Sequence, residues 1–199
     1  MTLTLQMEFL SFLPLYLSRS FELSGMGAGM AASAFPAGSL VSLLAGGVVY
    51  DRMRDKRPMV FGLLLLLGVG SVLVLRALSI QEVGSSTDLA VAIAAIFVMG
   101  FSISPAYYIP MGVFAIEFGR QRAGVLIGII DTFGYGAFML VAPMAGELVG
   151  QIRDTSGSWE PFLNILAAIS LASVVLMTAF LLLEHRWLAK NRSAQDPTA

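Results

Sequence analysis

Asp131 is the one acid well inside a long apolar run, and around it Gly124, Gly128 and Tyr135 recur at intervals of three and four residues. Those intervals place side chains on one face of a helix. The result is a single stripe of small groups, a carboxylate and a phenol, with Gly134 and Gly136 beside it. Lipid exposure of a carboxylate costs several kcal/mol, so the stripe is expected to face the interior of a helix bundle. There Asp131 either carries a proton or contacts a polar solute, or it bonds a neighbouring helix as a structural group. Glu8 is a second carboxylate in an apolar run, functional if buried and interfacial if the run begins at the water boundary. In a third run Gly100, Ser104 and Tyr108 stand four apart beside Pro105, Tyr107 and Pro110. Two prolines free backbone carbonyls that must face protein or a watery cavity, so this run is expected either to line something or to kink for packing.

The elements that must carry these residues are apolar helices. The chain has 199 residues, 57% of them hydrophobic and only 13% charged, with a mean hydropathy of +0.81. Soluble domains are about a quarter charged, so this composition marks an integral membrane protein. A spanning helix needs roughly 20 mostly apolar residues. The runs 2–18, 26–50, 59–78, 89–112, 124–148 and 160–183 meet that need, predicting an all-α domain of six transmembrane helices over residues 1–184. Residues 185–199 form a polar tail. The first run is the shortest and carries Gln6 and Glu8 near its beginning, which predicts a helix cut at its start. Gly25, Gly29 and Ser33 in the second run are expected to pack against another helix, with a kink at Pro36. The third run, Leu-rich and free of ionisable groups before Arg76, reads as a lipid-facing support. The sixth follows Gly157, Ser158 and Trp159, whose indole suits the membrane interface.

Charge sets the orientation. Of the twelve basic residues, all but Arg19, Arg76 and Arg153 lie in the elbows at 51–57 and 117–123 or in the tail. By the positive-inside rule that side is cytoplasmic, with both termini on it; which membrane is left open. The net charge of −1 says nothing about nucleic acid, because it hides this asymmetry along the chain; no nucleic-acid partner is expected. Absent cysteines exclude thiolate ligands and a cysteine nucleophile. The one histidine, His185, lies past the last apolar run, so an intramembrane serine protease has no base. No phosphate-binding Walker loop is present. No catalytic residues, metal site or cofactor are predicted, and the protein is not expected to be an enzyme.

The elbow between the second and third runs supplies a family resemblance. Gly47, Asp51, Arg52 and Lys56, followed by Arg57, resemble the loop signature of the major facilitator superfamily of transporters. Arg54 and Asp55 depart from the usual pattern, making this similar to the weaker copy that recurs between helices 8 and 9 of that fold. The resemblance implies a charge relay that locks the cytoplasmic side in the outward-facing state. Residues 12–17, 34–38 and 128–136 look like helices 7, 8 and 11 of the organophosphate:phosphate antiporter and sugar-phosphate exchanger branch. Residues 157–162 resemble the start of its helix 12. The whole chain is thus similar to a C-terminal six-helix half. The implied function is secondary active transport of a small polar solute, an organic anion or phosphate ester, by alternating access, with Glu8, Tyr108, Asp131 and Tyr135 lining the path. The bacterial glycerol-phosphate antiporters of that branch carry an arginine where Gln6 stands here, which removes one charge-assisted contact to phosphate. Implied partners are the lipid bilayer, the solute, and either a missing N-terminal half or a second copy. The competing expectation is a self-sufficient six-helix protein, dimeric or a non-transporting scaffold.

Overall fold

A computed structural model describes residues 2–52, 57–80, 85–155 and 158–195. The chain runs α1 (Thr2–Ser20), α2 (Gly25–Ala32), α3 (Ala34–Arg52), α4 (Arg57–Ser79), α5 (Ser86–Phe114), α6 (Ala123–Thr155) and α7 (Glu160–Gln195). A π-helical turn, Ala115–Gly119, and a 3-10 turn, Arg120–Arg122, join α5 to α6. The described residues contain no strand. Among the described residues, five segments are long and apolar enough to cross a membrane: Gly25–Gly46, Met59–Ser79, Ser86–Tyr108, Arg120–Ile152 and Glu160–Ala179. The fold class is therefore that of an all-α membrane protein. Helix α1 is not among the five, because Gln6, Glu8 and Arg19 dilute its apolar content.

The second run is two helices, not one. Ser33 separates α2 from α3, and Pro36 sits in the first turn of α3, where its missing N–H leaves few internal bonds to break. Ser24 caps α2 by accepting from the Gly27 amide at 3.2 Å. Ser85 and Asp88 form a reciprocal capping box that starts α5.

One side of α1 supplies Phe9, Leu13, Tyr16 and Leu17 to the core at helical spacing. They meet Val72 and Leu75 of α4, Ala92, Ile96, Met99 and Ile103 of α5, and Phe162, Leu163 and Leu166 of α7. Tyr16 holds this centre together. Its ring meets Trp159 edge to face at 5.6 Å, and its hydroxyl donates to the Leu75 carbonyl at 3.1 Å. Arg76, one residue on, pairs with Glu160 at the start of α7.

Two sequence expectations about packing are corrected here. A Cβ on Gly25 or Gly29 would meet nothing within 4 Å, and Ser33 is exposed, so that stripe packs against nothing among the described residues. The close approach lies one step further on. A Cβ on Gly38 would stand 2.1 Å from the Phe97 carbonyl oxygen, and one on Gly100 would stand 2.1 Å from that of Phe35. Only glycine lets α3 and α5 touch at both points. Nor is α4 simply a lipid-facing support. Leu63, Leu66, Leu67 and Leu73 are exposed, while Phe61, Leu65, Val72 and Leu75 are buried between α5 and α7.

Candidate functional site

Helix α5 is gripped on two sides, by α3 and α4. Gly100 and Ser104 lie in the α3 seam. Ser104 donates to Ser39 Oγ at 2.7 Å, and Ser39 donates to the carbonyls of Phe35 at 3.0 Å and Gly100 at 3.3 Å. Of the predicted stripe Gly100–Ser104–Tyr108, the first two residues therefore pack, and only the Tyr108 end reaches an open face. Tyr108 is 39% exposed. Pro105 is buried, and α5 runs through both prolines without a break.

Helix α6 is held differently. Near its end Val149 and Ile152 join the core, whereas its most apolar stretch contains no buried residue. Gly124, Gly128 and Gly136 have no neighbouring atoms where a side chain would point. The expectation that this stripe faces an interior is thus not met among the described residues, which leave the stripe on an open face. Across that face one bond joins the two helices. The Tyr107 hydroxyl of α5 donates to Asp131 Oδ1 of α6. Tyr107 and Tyr108 meet edge to face, ring centroids 4.8 Å apart. Tyr135 stands one helical turn beyond Asp131 on α6. Asp131 is half-buried and Tyr135 is 48% exposed.

Two of the four predicted path residues, Tyr108 and Asp131, are therefore joined by a residue outside that set, Tyr107, and Tyr135 follows Asp131 one turn along α6. Its signal in the sequence was weak, since it stands beside the four-residue stripe and not on it. Asp131 bonds a neighbouring helix, as a structural carboxylate would, and remains half-exposed on an open face, as a working one would. Glu8 falls within α1, but its side chain lies outside the described residues. Gln6 is buried at 7% exposure, and its Oε1 has no partner among the described residues. In the predicted gating loop, Gly47, Asp51 and Arg52 lie in the last turns of α3, with Arg52 exposed, and Arg57 opens α4. The side chains of Asp51 and Arg57, and Lys56 entirely, lie outside the described residues. No cluster of three metal-ligating side chains occurs among the described residues.

Comparison with curated proteins and with solved structures found no match. A family model described as Major Facilitator Superfamily matches residues 1–199, and with its apolar helices this protein belongs to that superfamily of integral membrane transporters of small solutes.

Proposed function

We propose that this chain forms the C-terminal six-helix half of a secondary transporter that moves a small polar solute by alternating access. Helix α1 is its sixth span, seated on the core through Phe9, Leu13 and Leu17. Both termini are cytoplasmic, and the elbow from Gly47 to Arg57 gates that side. The observation that carries the reading is the Tyr107–Asp131 bond on a face that no described residue buries. A carboxylate at membrane depth is costly on lipid and is in place beside a solute path. In transporters built from two repeats that path lies at the interface between halves, near the midplane. Asp131 stands eight residues into α6, about 12 Å along its axis, within a hydrocarbon core roughly 30 Å thick. It is the proton-coupling group, and Tyr107 orients it.

The resemblance to the organophosphate antiporter branch suggests an organic anion or phosphate ester as the solute. The test is Asp131→Asn in the complete protein in proteoliposomes, with a lumenal pH dye reporting solute-driven proton movement across a panel of small polar solutes. The substitution abolishes coupled movement while insertion stays intact. Normal pH-dependent transport by that variant would remove the proton role.

A further inference from the structure

The charge of the solute is open to inference from the same face, and the inference rests on the reading of that face as a solute path. Helix α5 contains no lysine or arginine, and α6 contains none before Arg153. Near the elbow, Arg120 and Arg122 are exposed in the 3-10 turn that precedes α6. From Arg122 to Asp131 is nine residues, about 13 Å of helix rise. An anion held at Asp131 would thus meet a carboxylate at hydrogen-bonding range with no described cation beside it. Like charges at that range disfavour each other strongly in a poorly solvated site.

The aromatic geometry favours the opposite sign. Tyr107 and Tyr108 rings meet at 72°, forming two walls of a corner beside Asp131. Aromatic faces attract cations through the ring quadrupole, and corners of such faces beside a carboxylate suit a quaternary or protonated amine. The Tyr107 hydroxyl donates to Asp131 Oδ1, which holds the carboxylate beside the Tyr107 and Tyr108 rings. Space is available as well: Gly124 and Gly128, on the same stripe, have no neighbouring atoms on their Cβ side.

The geometry points to a small organic ammonium ion as the solute class, held by the Asp131 carboxylate and the ring faces of Tyr107 and Tyr108. The phosphate-ester expectation then fails on charge. Specificity comes from the aromatic corner, so simple alkali cations are bound less well than an ammonium carrying methyl groups.

The experiment titrates the purified complete protein with tetramethylammonium chloride and follows thermal unfolding and intrinsic fluorescence. Potassium chloride at equal ionic strength and inorganic phosphate serve as comparisons. The expected result is a saturable rise in unfolding temperature with tetramethylammonium alone. Asp131→Asn weakens the apparent affinity at least tenfold, Tyr108→Leu weakens it several-fold, and Asp131→Glu, which keeps the charge, retains saturable binding. Stabilisation by phosphate, no saturable response to tetramethylammonium, or an unchanged affinity in Asp131→Asn overturns the inference. Two-sided aqueous labelling of Thr132→Cys, a position beside Asp131, separates the two levels. If that labelling succeeds while ammonium selectivity fails, only the solute class falls; if both fail, the transport-path reading falls with it.

Discussion

Adding one methyl group at Gly100 should separate the two most closely packed helices of the molecule. The new Cβ would stand 2.1 Å from the Phe35 carbonyl oxygen, against an ordinary contact of 3.4 Å or more, so α3 and α5 must part by about 1.3 Å. The atom it meets is backbone, which cannot rotate away. Overpacking of this kind costs about 1–3 kcal/mol. The same displacement stretches the Ser39 bond to the Gly100 carbonyl, already 3.3 Å long, and strains the 2.7 Å bond from Ser104 to Ser39. Interhelical hydrogen bonds in membranes contribute roughly 0.6 kcal/mol each. Replacing glycine in a helix returns up to about 1 kcal/mol. The balance for Gly100→Ala is a loss of about 2 kcal/mol, or roughly 4–8 °C in unfolding temperature for a chain of this size. Thermal unfolding of the detergent-solubilised protein reads it directly. Gly70→Ala is the comparison, since Gly70 has open space on its Cβ side and should show no loss. Equal stability of Gly100→Ala and the parent, or an equal loss in Gly70→Ala, would refute the reasoning.

Two further predictions concern the helix ends. Arg120 adopts φ of 43°, the left-handed region that L side chains disfavour by about 1–2 kcal/mol; Arg120→Gly should therefore leave stability unchanged or raise it by about 1 kcal/mol, while Arg120→Ala brings no such relief. A marked loss in the glycine variant, read by the same unfolding assay, would contradict the strained geometry. The Arg76–Glu160 pair is only part-buried, at 35% and 39% exposure, so solvent screens it. A double-mutant cycle with Arg76→Ala and Glu160→Ala should return a coupling below about 1 kcal/mol, and a larger value would mean that the pair is effectively shielded from water.

Much of the helical framework was legible because a membrane span is written in hydropathy alone. The apolar runs at 59–78, 89–112, 124–148 and 160–183 correspond closely to α4, α5, the body of α6 and the body of α7. The faces of those helices were less legible. Gly25–Gly29–Ser33 and Gly100–Ser104 have the same spacing, yet only the second lies in a tight seam, because spacing defines a stripe without naming what stands opposite. Gly38, which meets α5, stands four from Ala34 and four from Ser42, a second small-residue stripe with nothing in its spacing to mark it as the one that packs. The Tyr107–Asp131 bond links residues 24 apart on two helices, a pairing that no local period encodes. Asp131 itself was visible, since a lone carboxylate in an apolar run stands out whatever its neighbours are.

The central claim, that the α5–α6 face is a path open in turn to each side of the membrane, is tested most directly at position 132. The chain has no cysteine, so Thr132→Cys introduces a unique thiol. Thr132 is exposed beside Asp131 and makes only a local bond to the Gly128 carbonyl, so the change is mild. A membrane-impermeant maleimide is applied to right-side-out and inside-out vesicles holding the complete protein. The account predicts labelling from both sides, with modification from one side protecting against the other. A thiol that reacts only with lipid-soluble reagents, and from neither aqueous side, would show that this face meets lipid and would contradict the account.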